Sequence, residues 1–281
     1  MRQAVRGSVR NAVIAVIAVL IFRPLCFGEV ISGKSAQDGK NWNLIMNFRE
    51  GASTNTVTSD TNTLTAQLNN GTAWVSNRNG AGNAVNFDGT NDDITLALPS
   101  EGLFDFQVTS TFAVIVVLSM PTADISNHPL VSKWTSSTLQ GWQVLEGDAS
   151  DGVKMISFNM RTDDTNYHNW KCSSIDPTIF NNTRWHTASF IYRGIITGTA
   201  GKELYFDGVS YSIVDDATAG TVSNIQNDIM LRIGATNDAS GAEFKGSVGA
   251  VLVSRDGYAP DAQGMKDMHK RLMGIVARQT Q

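Results

Sequence analysis

The sequence predicts an all-β protein, a two-sheet antiparallel sandwich with a short C-terminal helix. From Asn41 onward, short runs of β-branched and aromatic residues alternate with clusters of Gly, Asn, Asp and Ser. Short runs bounded by turn residues are typical of sandwich strands, not of alternating strands and helices. One segment near the C-terminus has the three-to-four spacing of apolar residues that indicates a helix.

Twelve segments have the composition of strands. In chain order they are NLIMNF, AVNFDG, DITLAL, TFAVIVVLSM, PLVSKW, GWQVLEG, VKMISFNM, WHTASFIYR, ELYFDG, VSYSIV, DIMLRIG and GSVGAVLVS. The run FAVIVVL is apolar at every position, so we expect it in the middle of a sheet that is covered on both faces. In LYFDGVSYS, Asp207 and Gly208 separate two alternating runs. This pattern indicates a β-hairpin, because both residue types tolerate the positive φ angles of a two-residue turn.

The predicted helix opens at Pro260 and Asp261 and places Met265, Met268 and Leu272 on one side. No repeat or linker interrupts residues 41–276, which we interpret as one domain. A polar lead-in at 29–40 precedes this domain, and a tail at 277–281 follows it.

Residues 1–28 have the pattern of a signal peptide or, alternatively, of a retained membrane anchor. Arg2, Arg6 and Arg10 form a positive region, and an apolar segment at 12–22 follows it. This segment has 11 residues, whereas a membrane-spanning helix needs ~20. The pattern therefore favours export and predicts a secreted or cell-surface location.

The charge balance argues against a nucleic-acid partner. The chain has 22 Lys and Arg against 26 Asp and Glu, a formal net charge of −4. Nucleic-acid-binding proteins instead concentrate positive charge on one surface. The two cysteines, Cys26 and Cys172, are too few for a cysteine-based zinc site.

Four blocks, in the expected order, resemble the LamG-like jelly-roll family of the concanavalin A-like lectin/glucanase superfamily. They are NLIMNFREGASTNTVTSD, GTAWVSNRNGAGNAVNFDGTNDDITL, RWHTASFIYRG with KELYFDGVSYS, and LRIGATNDASGAEFKGSVGAVLVSRDGYAPDAQGMKDM. The resemblance covers roughly residues 42–275 and implies a jelly-roll sandwich in which loops carry the function. Within these blocks, Trp185 is interpreted as a core anchor and His186 as a hydrogen-bonded strand residue.

The glucanases of this superfamily make catalysis an activity to consider. Retaining glycosidases need two carboxyl groups ~5 Å apart, and the nearest match to the superfamily pattern is Glu146, Asp148 and Asp151 in EGDASD. This segment is turn-like, and a turn does not hold alternate side chains on one face as a strand does. We interpret it as a hairpin connection and predict that the protein is not an enzyme.

Calcium is the cofactor that the resemblance implies. In pentraxin-like members, part of the calcium site follows a strand that ends in Gly, and here that loop offers Asn237 and Asp238. The turn that usually supplies their partners is TSSTLQ, residues 135–140, which has no carboxylate. A double-calcium site therefore departs from the family pattern.

Five residues are candidates for ligand binding, since aromatic rings stack on sugar faces and contact protein partners. They are Trp134, Trp142, Tyr167, His168 and Trp170. For the Trp residues we favour a core position, and a glycan- or protein-contacting surface is the alternative. If residues 167–170 form a strand, His168 and Trp170 share one face and Tyr167 takes the other.

The sequence thus predicts an exported, non-catalytic recognition domain that binds glycan or extracellular protein through its loops. One alternative is a structural surface component, such as a virion decoration or an envelope-associated protein; a polysaccharide hydrolase is a third interpretation. Contact with a membrane is expected only through the N-terminal segment, if it is retained.

Overall fold

The structure is a computed structural model and describes residues 41–48, 56–60, 64–76, 83–96, 101–120, 128–135, 137–147, 156–173, 183–236 and 243–277. These residues form two antiparallel sheets and one α-helix near the C-terminus, which confirms the predicted fold class. The predicted signal segment at 1–28 and the lead-in at 29–40 lie outside the described residues. Within the described ranges, no helix is long and apolar enough to cross a membrane.

Sheet A has eight strands. In spatial order, seven of them are β14 (Val209–Tyr211), β13 (Lys202–Phe206), β12 (His186–Arg193), β7 (Thr111–Ser119), β17 (Lys245–Ser254), β5 (Asn83–Asp88) and β4 (Ala73–Ser76). The eighth, β1 (Trp42–Met46), pairs with β17. The helix α1 (Ala262–Ala277) packs on this sheet.

Sheet B has nine strands. In spatial order they are β15 (Ile213–Ala219), β11 (Tyr167–Cys172), β10 (Ile156–Arg161), β9 (Gly141–Glu146), β8 (His128–Trp134), β16 (Arg232–Ile233), β6 (Asp93–Leu96), β3 (Thr65–Asn69) and β2 (Thr56–Thr58). A short 3₁₀ helix at Glu101–Phe104 precedes β7.

The core between the two sheets is rich in aromatic side chains. Phe158 of sheet B stacks on Phe190 of sheet A with ring centroids 3.9 Å apart, and Phe106 stacks on Phe112 at 4.0 Å. All four rings are at most 1% exposed. Stacked aromatic pairs add about 1 kcal/mol each to the free energy of burying their surface, so this cluster joins the sheets.

Strand β7 lies in the middle of sheet A, between β12 and β17, as the FAVIVVL run predicts. Its alternate residues Ala113, Ile115 and Val117 face away from the inter-sheet core. Met265, Met268 and Leu272 of α1 belong to the apolar cluster on this outer face. Helix α1 therefore explains why β7 is apolar on both sides.

The predicted turn at Asp207 and Gly208 joins β13 to β14. Both residues have positive φ, 52° and 73°, as a type I′ hairpin turn requires. The Asp207 carboxylate also lies 2.7 Å from Nδ1 of His186 and accepts the N–H of Thr187 at 2.9 Å. His186 is thus a hydrogen-bonded strand residue, as predicted, and Trp185 is a buried member of the outer cluster on sheet A.

The segment VSYSIV is not the single strand that its composition suggests. Residues 209–211 form β14 in sheet A, whereas Ile213 begins β15 in sheet B. The chain changes sheets at Ser212, so an alternating run is divided between the two layers. Strands β2, β3, β4 and β11 are not among the twelve predicted segments.

Candidate functional site

The outer face of sheet B is polar, in contrast to its inner face. Inward-facing residues such as Ile94, Val144 and Phe158 join the core, and their sequence neighbours point outward. The strand registers align one outward residue from each of eight strands into a continuous line across the sheet, which we call the polar row. Its members, in spatial order, are Thr56, Gln67, Thr95, Arg232, Ser132, Gln143, Asn159 and Asn169.

Four members of the polar row carry buried polar atoms without a hydrogen-bond partner among the described residues. They are Nε of Arg232, Oγ of Ser132, Oε1 of Gln143 and Oδ1 of Asn169. Ser132 is only 1% exposed and Gln143 7%, while Arg232 and Asn169 are partly exposed. Buried polar groups in folded proteins nearly always have partners, so these four groups, which lie in one line, are candidates for hydrogen bonds to water or to other groups outside the described residues.

The β6 end of the row differs, because its hydrogen bonds are made within the protein. Thr95 donates to the Asp93 carboxylate at 2.6 Å and accepts from Asn69 at 3.0 Å. The same carboxylate lies 3.5 Å from Nη1 of Arg232. The unsatisfied groups therefore occupy the part of the row from β16 to β11.

Beside the polar row, two residues further along β10, Arg161 lies between two aromatic rings. Its guanidinium carbon is 5.2 Å from the ring centre of Trp134 and 4.6 Å from that of Tyr167. We call these three residues the arginine clamp. Nε of Arg161 is buried and has no hydrogen-bond partner in the described part of the chain, and burial lowers the pKa of this guanidinium.

On the opposite side of the polar row, the charges are paired. Lys171 of β11 forms an ion pair with Asp216 of β15, and Ser157 is its neighbour on β10. The arginine clamp and the Lys171–Asp216 pair thus flank the row on either side.

The five predicted ligand residues are divided between the two faces of sheet B. Trp134 and Tyr167 belong to the arginine clamp on the outer face, whereas Trp142, His168 and Trp170 point inward. Trp142 is fully buried and Trp170 is 1% exposed, and their indole N–H groups donate to the carbonyls of Phe104 at 3.1 Å and Gly198 at 3.0 Å. Trp142 and Trp170 therefore lie in the core, as the core interpretation has it, and not on a ligand-contacting surface.

His168 stacks on Trp170 with centroids 5.5 Å apart and is buried, which lowers its pKa, as does the nearby positive charge of Lys202. It lines a cavity of about 450 Å³ with Asp215, Thr218 and Gly198. Lys202 lies under this cavity wall, where its ammonium donates to the carbonyl of Gly198 at 2.6 Å. Burial lowers the pKa of Lys202 to about 8, but this carbonyl and the Trp170 ring, 4.4 Å away, hold the amino group in place.

The end of the sandwich near the TSSTLQ turn contains a second cavity, of about 570 Å³, lined by Asp105, Gln140, Asn224 and Asp228 among others. The fully buried Lys133 extends its ammonium to this end. Its contacts are all oxygens: Asp105 at 2.8 Å, the carbonyls of Asn227 at 2.7 Å and Ile229 at 2.9 Å, and the Asn227 side chain at 3.2 Å. The Lys133 ammonium thus balances the negative charge of Asp105 and donates hydrogen bonds to the other oxygens.

The predicted calcium residues Asn237 and Asp238 lie outside the described residues, so this site stays a prediction. Within the described ranges, no group of three or more His, Cys, Asp or Glu side chains is arranged to hold a metal ion. Glu146 is 2% exposed and its carboxylate lies 3.4 Å from His128. It ends β9 in the β9–β10 hairpin, as expected, while Asp148 and Asp151 fall outside the described ranges.

The site residues that sequence reasoning missed are the members of the polar row and Arg161. The available signal was alternation: ISFNMR, GWQVLE and YHNWKC each carry polar residues at every second position. That pattern predicts a polar face for each strand, but it does not reveal which strands are neighbours.

No family model matches the sequence, and no curated protein matches it either. The fold, in contrast, is similar to several solved structures. One is domain 4 of AbnA, a GH43 extracellular arabinanase from Geobacillus stearothermophilus, in complex with arabinotriose. The match has a TM-score of 0.53 and 12% identity, and covers 82% of this chain and 98% of that domain.

A second similar structure is the receptor-binding domain of botulinum neurotoxin mosaic serotype C/D, with a TM-score of 0.53 and 10% identity. The chain covers 51% of that domain, about half its length, with 83% of its own residues. A third is Trypanosoma rangeli sialidase, with a TM-score of 0.50 and 8% identity over 84% of this chain and 33% of the sialidase. Identities of this size show a shared β-sandwich fold, and the LamG-like family stays a prediction.

Proposed function

We propose that this protein is a non-catalytic recognition domain that binds carbohydrate on the outer face of sheet B, along the polar row. The ligand surface is then a sheet face rather than the loops that the sequence suggested. Sugars suit this surface because each hydroxyl group both donates and accepts hydrogen bonds. The arabinanase domain with bound arabinotriose is a precedent for carbohydrate binding on a sandwich of this kind.

The observation that carries the proposal is the line of four unsatisfied polar groups. Nε of Arg232 is a donor, the oxygens of Gln143 and Asn169 are acceptors, and the Ser132 hydroxyl is both. Leaving such a group buried without a partner costs about 1–3 kcal/mol. A ligand that carries donors and acceptors side by side recovers this free energy, and an apolar partner does not.

The described residues support a binding role over catalysis. Thr187, His269 and Asp207 come together beneath α1, with the Thr187 hydroxyl 2.8 Å from Nδ1 of His269. However, Thr187 is 2% exposed, and Asp207 approaches the same Nδ1, at 4.0 Å. A catalytic relay needs a carboxylate on the other ring nitrogen, so this group of residues is better suited to fastening the helix.

We further propose that the protein is exported, on the basis of the charge and apolar pattern of residues 1–28. N-terminal sequencing of the mature protein tests this part. A chain that keeps residues 1–28 favours the anchored, structural alternative over a secreted binding domain.

The central experiment is a glycan array with the purified protein, with and without calcium. We expect binding to a subset of glycans, with at least about a tenfold loss of affinity in the double variant Gln143→Ala/Asn169→Ala, equivalent to about 1.4 kcal/mol. The control is Ser210→Ala, an exposed polar residue on β14 of the other sheet. Silence on the whole array, or equal binding by the double variant, would overturn the proposal and favour a structural role.

A further inference from the structure

We infer that the carbohydrate recognised by this face is acidic, and that its carboxylate binds Arg161 in the arginine clamp. This inference rests on the proposed function and specifies the class of ligand for the same site. It is carried by the position, the surroundings and the charge of Arg161.

The position of Arg161 follows from the strand register. On one side Arg161 is paired with Tyr167 of β11, and on the other with Gly141 of β9, which in turn is paired with Trp134 of β8. The Arg161 guanidinium lies 5.2 Å from the Trp134 ring centre, on the far side of Gly141. A larger residue is disfavoured at Gly141, because its φ is 130° and a Cβ there would lie 2.0 Å from the Lys133 carbonyl oxygen.

Arg161 makes no ion pair within the described residues, although the exposed Asp164 is near enough for its negative charge to oppose the lowering of the guanidinium pKa by burial. The other cations near this face are paired, Lys171 with Asp216 and Arg232 with Asp93. Asp163, which follows Arg161 closely, accepts hydrogen bonds from Thr165 and Asn166 and is thereby engaged in its own turn. A partly exposed guanidinium without an ion pair among the described residues is complementary to an anion.

A carboxylate fits this geometry better than an isolated hydroxyl. The guanidinium is a planar fork that binds a carboxylate through two parallel hydrogen bonds, and both rings of the arginine clamp lie within 5.2 Å of its central carbon. Asn159 of the polar row lies two residues before Arg161 on β10, about 7 Å along the strand. That distance is on the scale of one pyranose ring, so a sugar acid bound at Arg161 places its far hydroxyls at the row.

The test uses pairs of oligosaccharides that differ only in charge: uronate- or sialate-bearing glycans and their carboxyl-reduced neutral counterparts. Affinities for the full-length protein are measured by isothermal titration calorimetry. We expect at least tenfold tighter binding of the acidic member of a pair. Arg161→Met, which keeps an unbranched side chain between the two rings, should abolish this preference, and Arg161→Lys should restore it in part.

The outcomes separate this inference from the proposed function. If the acidic and neutral members bind equally, and Gln143→Ala/Asn169→Ala weakens the binding of both, the inference of an acidic ligand is wrong. The proposal that this face binds carbohydrate is then supported. Preference for sulfated over carboxylated sugars would also overturn the carboxylate assignment. If neither member of any pair binds, both proposals fail. An unchanged urea midpoint for Arg161→Met and Arg161→Gln shows that any loss of binding is not a loss of folding.

Discussion

The two outer faces of the sandwich differ in the polarity of their side chains and in whether a helix covers them. On sheet A, Ile115, Ile191 and Leu252 are apolar, and helix α1 covers this face with Met265, Met268 and Leu272. On sheet B, the corresponding outward positions are Ser, Thr, Asn, Gln and Arg, and no helix among the described residues packs on them. Burial of the apolar face of sheet A stabilises the fold. Unsatisfied polar groups on the face of sheet B destabilise the fold, but they can form hydrogen bonds with a ligand. The following predictions test this difference, from the largest expected effect to the smallest.

The most destabilising change should be Lys133→Met. On strand β8, Ser132 points outward and Lys133 points inward. The Lys133 ammonium has oxygen partners, whereas the Ser132 hydroxyl has none among the described residues. Removing a buried cation leaves Asp105 and two carbonyls without it, which costs about 3–5 kcal/mol. Urea unfolding monitored by tryptophan fluorescence measures this loss, and Lys266→Met, on the exposed side of α1, is the control. A loss below about 1 kcal/mol would mean that these oxygens do not depend on the ammonium.

Ile115→Ala should destabilise the protein by about 3 kcal/mol, because it removes a buried side chain between β7 and helix α1. The matched change on the other outer face is Val214→Ala, at a residue that is 37% exposed, where we expect less than about 1 kcal/mol. Chemical denaturation of both variants gives the comparison directly. Equal losses would contradict the assignment of one face covered by helix α1 and one face without a helix among the described residues.

Acidification should weaken the covered face before it affects the polar row. Burial lowers the pKa of His269 below its usual value of 6.5, so the folded protein holds this histidine neutral where the unfolded chain protonates it. Between 6.5 and the lowered pKa the unfolded state binds more protons, and stability falls as the pH falls through this window. His269→Gln keeps a hydrogen-bonding partner for Thr187 and should show a shallower pH dependence of its denaturant midpoint. An unchanged slope would remove His269 as the cause. His168→Gln is the comparison variant, because burial also lowers the pKa of His168.

The smallest change in stability should come from Ser132→Ala. The Ser132 hydroxyl is buried without a partner among the described residues, so its removal should leave the free energy of unfolding within about 1 kcal/mol of the original value or raise it. The same variant should bind glycan more weakly. A large loss of stability in thermal unfolding would show that this hydroxyl has a structural role and would weaken the case for the polar row.

The sequence was sufficient for the architecture because local patterns encode it. The apolar run of β7, the Asp207–Gly208 turn and the spacing of Met265, Met268 and Leu272 each have a direct physical meaning, and the structure contains all three features. Strands β2, β3 and β4 were missed because they are short, with three, five and four residues, and TAQLN of β3 also has only one β-branched residue. Pairing with neighbouring strands, which the local sequence does not show, is what defines segments this short as strands.

The candidate site was harder to predict because it depends on register between distant segments. Arg232 lies beside Ser132 through the pairing of β16 with β8, and nothing local to either residue indicates this. Composition drew attention to Trp142 and Trp170 instead, since large aromatic residues suit both a sugar face and a core. Alternation along β11 separated His168 and Trp170 from Tyr167 correctly, but it does not tell which side of the sheet is the interior.

The place of β17 in sheet A constrains how this chain is made. Strand β17 joins β1, β5 and β7, and it is followed directly by the helix that covers the same sheet. During synthesis, the edges of β1, β5 and β7 that pair with β17 stay unpaired until β17 has left the ribosome. The apolar outer face of sheet A stays uncovered until helix α1 has followed. Since such intermediates are prone to aggregate, we expect the nascent chain to need chaperone protection late in its synthesis.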